Sequence, residues 1–194
     1  SSKVAEQLIT GILAEDPTAT VTRRDLGRDP LPHLDEAFLG ALFAPAETHS
    51  AEQAKLLALS DELVDELFAA DIVVIGSAMI NFTVPSTLKS WFDFIARSGK
   101  TFRYTEAGPE GLVTGKRVVV IEAKGGIYSD GPMKVHDYQQ PWIRFMLGFL
   151  GMTDVEVIHV EGQALGPDRA SQGVNEAGSR AEATARALVT RAAA

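Results

Sequence analysis

The chain is predicted to fold as a doubly wound, three-layer α/β/α sandwich built on a parallel sheet. Three observations carry this. Unbroken β-branched runs, Ile72 to Ile75 and Val118 to Ile121, read as strands covered on both faces. Segments with helical periodicity alternate with these runs along the whole chain. Small residues follow the runs at once, Gly76-Ser-Ala78 after the first and Gly125-Gly126 shortly after the second. Ligands of open parallel sheets sit outside the carboxyl ends of the strands, so these endings are candidate ligand floors.

The elements follow in order. Residues 1–15 place Val4, Leu8, Ile9, Ile12 and Leu13 on one helical face. Ser1 and Ser2 stand where a serine either caps the helix or helps hold an anion. Thr18 to Leu26 alternates and reads as a short strand, with Asp29-Pro-Leu-Pro32 ending it. Residues 33–48 form a long connection of the kind that often covers a site. His33 and His49 in and beside it lack partners at metal-ligand spacing and read as ordinary histidines. Residues 50–69 form a helix with a Ser50/Gln53 capping box. After the first apolar strand, Met79-Ile-Asn-Phe82 offers polar and aromatic groups, and a helix runs from Pro85 to Ser98.

Glycine and proline punctuate residues 99–115, which read as a loop presenting Phe102, Arg103 and Tyr104. The second apolar strand ends Glu122-Ala-Lys-Gly-Gly126, where glycines let backbone N–H groups approach a ligand. Residues 134–150 read as a helix apolar nearly all round late on, which suits deep burial or a partner subunit, and Gly151 ends it. Val155 to Val160 is the last strand. Residues 168–192 form an alanine-rich helix bearing Arg180, Arg186 and Arg191. Four strands are visible; the fifth expected of such a sheet, with its phosphate loop, falls ahead of Ser1.

The composition bounds the function. A chain of 194 residues suits one domain, residues 1–194, with a sizeable core. No cysteine is present, so thiolate chemistry and disulfides are excluded and secretion has no support. A formal charge of −8 argues against nucleic acid or an anionic membrane as partner. No apolar run approaches the roughly 20 residues that span a bilayer. A cytoplasmic protein is expected.

Leu59-Ser-Asp-Glu-Leu63, Met79-Ile-Asn-Phe82, Thr101-Phe-Arg-Tyr-Thr-Glu106, Gly108 to Lys116, Gly125-Gly126, Asp130-Gly-Pro132, Leu147-Gly-Phe-Leu-Gly151 and Glu161-Gly162 together carry a resemblance. Over nearly its whole length the chain resembles the flavodoxin-like, FMN-dependent NADH-azoreductases, also described as NAD(P)H:quinone oxidoreductases. The resemblance implies FMN as cofactor and NADH or NADPH as electron donor. It implies that quinones or azo compounds accept two electrons by hydride transfer in a ping-pong cycle, at a homodimer interface. It implies Met79, Ile80, Asn81 and Phe82 as one wall of the flavin site, and Ala123, Lys124, Gly125 and Gly126 as the other. Ser1 matches the last serine of the family's phosphate loop, which favours the anion reading of that residue. Tyr104 and Phe149 match aromatics around the substrate cavity; packing is the competing reading of both. Ile80 and Ala123-Lys124 depart from the tyrosine and Ser-Arg the family often has there. Arg103 and Lys124 are both candidates for the extra phosphate of NADPH. An electron carrier or a flavin-binding regulatory protein without small-molecule turnover is the alternative class. No nucleophile–base pair is evident, and none is needed where a flavin carries the chemistry.

Overall fold

In the computed structural model, which describes residues 1–192, three parallel strands form the central sheet. They are β1 (Ile72–Ala78), β4 (Arg117–Ala123) and β5 (Asp154–Val160), in the order β1-β4-β5. The register runs Ile72 opposite Arg117 to Ala78 opposite Ala123, and Arg117 opposite Asp154 to Ala123 opposite Val160. Central β4 is buried from Val118 to Glu122, which explains its continuous apolar run. On β1, at the edge, Ile72 to Val74 are only half-buried.

Side chains alternate across the sheet and feed two cores. Helices α1 (Ser2–Glu15) and α6 (Pro167–Ala192) cover one face, packing Val4, Leu8, Ala177, Ala181 and Ala185 on Val119, Ile121 and Ile158. Helices α2 (Glu36–Phe43), α3 (Ala51–Ala69), α4 (Ser86–Ile95) and α5 (Gln139–Leu150) cover the other. There Phe38 stacks on Phe94 at 4.5 Å, and Phe92 meets Trp142 edge-on at 5.1 Å. Fully burying such a side chain stabilises the fold by roughly 1.5–3 kcal/mol. The expected capping box is present: Gln53 N donates to Ser50 Oγ, and Ser50 N to Gln53 Oε1. Both histidines are satisfied, His33 by the Ser90 hydroxyl and His49 by the Ala44 carbonyl. Arg180 pairs with Glu156; the side chain of Arg191 lies outside the described residues.

Four expectations about the elements need correction. Residues 18–26 form no strand, because no described segment supplies a ladder; arginines fasten them instead. Arg23 meets Glu6 at 2.6 Å, and Arg24 meets Glu62 and Glu66 at 2.5 and 2.7 Å. Helix α4 stops at Ile95, not Ser98, because Thr101 Oγ1 donates to the Ile95 carbonyl and accepts from Arg97 N.

The supposed loop at 99–115 contains an antiparallel hairpin, β2 (Phe102–Thr105) and β3 (Gly108–Gly111). Its glycines are not only breakers. At Gly108, φ is +115°, and Gly111 lies against the α5 terminus, where a Cβ would sit 2.1 Å from Gly151 N. Arg103 pairs with Glu110 at 2.7 Å across the two strands. Finally, α5 begins at Gln139, later than expected, after a 3-10 turn over Pro132–His136. Asp137 Oδ1 accepts from Gln139 N and Gln140 N and so sets that start. Gly151, at φ +105°, ends α5 as expected.

Candidate functional site

The two candidate loops lie side by side because β1 and β4 are neighbours and end level at Ala78 and Ala123. Met79 N donates to the Ala123 carbonyl at 2.8 Å, carrying the contact one residue past the strands. Ile80 and Thr83 then exchange backbone hydrogen bonds across a tight turn. Asn81 and Phe82 occupy its centre with φ of +47° and +70°. Asparagine tolerates this conformation; phenylalanine does so at a cost of about 1–2 kcal/mol. Such strain persists where surrounding contacts impose it, often at ligand sites. Here Tyr138 N donates to the Phe82 carbonyl at 3.1 Å, and Tyr128 meets the Phe82 ring edge-on at 6.4 Å. Both central side chains remain exposed.

The facing loop is held by residues after β5. Gly162 N, Gln163 N and Ala164 N donate to the carbonyls of Gly126, Lys124 and Gly125. Glu161 is buried, and its Oε1 accepts from Tyr128 N at 2.7 Å and Ser129 N at 2.8 Å. Its Oε2 accepts from the Ser129 hydroxyl at 2.6 Å. The amides of Gly125 and Gly126 have no acceptor among the described residues. A Cβ on Gly125 would lie 3.4 Å from Ala164 Cβ, and one on Gly126 would lie 3.2 Å from the Tyr128 ring. This is a cradle with two free amide donors beside an exposed aromatic ring.

Lys124 departs from the expectation that it contacts a ligand. Its side chain is fully buried, with Nζ 2.5 Å from Asp137 Oδ2 and 2.8 Å from Glu122 Oε2. Its backbone N–H is used by the Val160 carbonyl. Burial opposes the Lys124 charge, but the two carboxylates outweigh it and its pKa stands above the ordinary lysine value. With Arg103 paired to Glu110, neither candidate for a nucleotide phosphate offers an unpaired cation.

Glu122, Ser77 and His159 form one cross-strand row beneath the loops. Burial pushes the Glu122 carboxyl up. Burial first, then the Lys124 charge, holds the His159 imidazole below its ordinary value. Stability from neutral His159 is therefore present above its unfolded pKa, about 6.5, and lost as pH falls through the lower folded value. Glu122 has the opposite sign: its contribution is lost as pH rises through its raised value. His159→Gln is expected to flatten the fall in melting temperature between about pH 7 and pH 5 relative to wild type; an unchanged slope contradicts this.

Ser1 lies against β1. A Cβ on Gly76 would be 3.6 Å from Ser1 Cβ, and the Ser1 side chain makes no cap hydrogen bond. The capping reading of its hydroxyl is thus not realised. Tyr104 and Phe149 are brought together, flanking Phe102 at 5.6 and 4.6 Å, with Phe145 stacked on Phe149 at 6.4 Å. Phe149, however, lies near the far end of α5, about 15 Å along the helix from Gln139. One chain alone does not place this aromatic face over the loops. The described cavities lie elsewhere too, one lined by Arg117, Glu156 and Arg180, the other by Lys3, Gln7 and Gly11.

Tyr128, Asp137, Tyr138 and Glu161 were not singled out as site residues in the sequence. An aspartate two residues ahead of a helix is a legible cap signal; the reach of Glu161 is not, since β5 and the glycine loop are distant in the chain.

Two loops beyond adjacent parallel strands, with unpaired glycine amides, stand where doubly wound α/β folds in general receive ligands. A family profile described as "Flavodoxin-like fold" matches residues 1–185, and the chain belongs to that family. More particularly, it is 49% identical over 182 residues to the FMN-dependent NADH:quinone oxidoreductase 1 of Rhizobium etli, covering 94% of this chain and 89% of the relative. It is 51% identical over 177 residues to an FMN-dependent NADH:quinone oxidoreductase of Burkholderia thailandensis, covering 91% and 88%. The azoreductase of Bacillus anthracis (Sterne) superposes with a TM-score of 0.87 at 31% identity, over 95% of this chain and 89% of that one. An FMN-dependent NADH-azoreductase from Bacillus anthracis (Ames Ancestor), solved in complex with FMN, gives 0.88 at 27% identity, over 96% and 90%.

Proposed function

We propose that this chain is an FMN-dependent oxidoreductase that passes two electrons from NADH to quinones and azo compounds. The observation that carries the reading is the pair of unpaired amides at Gly125 and Gly126 beside the strained Asn81–Phe82 turn. FMN, when bound, supplies the redox chemistry, accepting two electrons from the nicotinamide and yielding them to the acceptor. The residues present fit that group. Amide donors fixed before the reaction suit the negative charge of a reduced ring, because they need no reorganisation. Met79 to Phe82 form one wall, and Ala123, Gly125 and Gly126 the other. Lys124 supports that wall from beneath. Ser1, at the start of α1 with an unbonded hydroxyl, suits the phosphate end.

Donor and acceptor taking turns on the same face of the flavin give ping-pong kinetics. The donor is NADH, as in the names of the curated relatives; of the two candidate phosphate partners, Lys124 is buried and paired, and Arg103 pairs with Glu110. The exposed rings of Tyr104 and Phe145, beside half-buried Phe149, support a homodimer in which a second copy brings its aromatics to the site. No helix among the described residues is long and apolar enough to cross a membrane. We place the chain in the cytoplasm, where NADH is supplied.

NADH oxidation with menadione or methyl red, FMN added, tests the proposal; turnover no faster than free FMN contradicts it. Tyr104→Ala is expected to raise KM for the quinone about tenfold while FMN content holds, since truncating an exposed aromatic anchor costs about 1 kcal/mol or more. Loss of FMN with an unchanged KM contradicts that role.

A further inference from the structure

Residues 137–139 each grip a different part of the site. Asp137 Oδ2 receives Lys124 Nζ at 2.5 Å, at the root of the glycine loop. Tyr138 N donates to the Phe82 carbonyl in the strained turn. Gln139 Nε2 donates to Ser77 Oγ at 2.9 Å, near the end of β1. Asp137 Oδ1 meanwhile caps α5 through Gln139 N and Gln140 N. The start of α5 is therefore fastened to both walls at once.

Resting on the FMN reading above, we propose that Lys124 and Asp137 are a positioning pair that sets the spacing between the two walls of the flavin site. The ammonium is the only cation in contact with the two carboxylates, among the described residues, and water is excluded from it. A buried charge left without its partner is strongly unfavourable, so the pair cannot open without cost. Lys124 immediately precedes Gly125, so any slip of the pair moves the two free amides. Asp137 immediately precedes Tyr138, so the same slip moves the support of Phe82. A side chain that never touches the flavin thereby controls both surfaces that do. Placement errors of about 1 Å from a remote change can cost on the order of 100-fold in rate.

The test compares wild type with Asp137→Asn, Lys124→Met and Lys124→Arg as full-length chains. Asp137→Asn keeps an oxygen for the α5 cap and loses the charge that holds Lys124. Lys124→Arg keeps the charge. The readouts are the FMN dissociation constant, the visible circular dichroism of bound FMN, kcat and KM for NADH, and melting temperature. Asp137→Asn and Lys124→Met are expected to weaken FMN about tenfold, alter its dichroism and lower kcat about tenfold or more, with KM for NADH within about twofold. Lys124→Arg is expected to restore the dichroism. A drop in melting temperature alone, with FMN affinity and dichroism unchanged in both charge-removing variants, overturns the inference and leaves the FMN reading intact. A wild-type chain that binds no FMN overturns both.

Discussion

Gly111→Ala is expected to lower the melting temperature by about 10 °C, the shift that roughly 3 kcal/mol produces in a chain of this size. A methyl group there would lie 2.1 Å from Gly151 N and 2.3 Å from the Leu150 carbonyl carbon. Both are backbone atoms, so no rotamer change relieves the clash. The hairpin or the α5 terminus has to move, and insertion into packed structure commonly costs about 1–3 kcal/mol, occasionally more. The displaced hairpin carries Phe102, which packs on Phe149 at 4.6 Å, so the aromatic face is disrupted as well. Gly148→Ala is the control, because nothing lies within 4 Å of its added methyl group. Alanine in place of glycine in a helix gains roughly 0.5–1 kcal/mol. Thermal unfolding of the two variants, followed by circular dichroism, checks the pair; equal melting temperatures contradict this account of the hairpin contact.

Glu161→Ala is the second large effect. Its carboxylate accepts three hydrogen bonds, from Tyr128 N, Ser129 N and the Ser129 hydroxyl. Hydrogen bonds to a charged group each contribute about 1.5–3 kcal/mol, and partners left unsatisfied add their own cost. Truncation releases the 126–129 segment, and with it the Tyr128 ring that borders both Gly126 and Phe82. FMN affinity is expected to fall at least tenfold, which about 1.4 kcal/mol of lost support achieves. Glu161→Gln keeps one accepting oxygen and is expected to fall between. Titration of each variant with FMN, read by flavin fluorescence, decides this. Affinity unchanged in Glu161→Ala contradicts the role given to this carboxylate.

The parallel strands and the helices on both faces were legible because their signals are local. Val118 to Ile121 reads as a buried strand from four adjacent residues, and Ser50 with Gln53 marks a helix start three residues apart. The hairpin was missed because Gly108, Pro109 and Gly111 normally break strands; here Gly111 is required by Gly151, 40 residues away in the sequence. Residues 18–26 have strand propensity, but a strand also needs a neighbour, and propensity alone supplies none.

The site divides in the same way. Met79 to Phe82 and Gly125-Gly126 were readable from their place just beyond strands. The inward turn of Lys124 was not, since a lysine beside glycines usually faces solvent and only the fold reveals Asp137 and Glu122 around it. The separation of Tyr104 and Phe149 from the loops within one chain was equally hidden, because family likeness does not say which copy supplies a wall.

A crystal structure of the chain with FMN tests the central claim most directly. The account predicts the isoalloxazine ring between residues 79–82 and 123–126, with the amides of Gly125 and Gly126 within hydrogen-bond reach of its pyrimidine edge. A ring bound elsewhere, or those two amides turned away from it, contradicts the account.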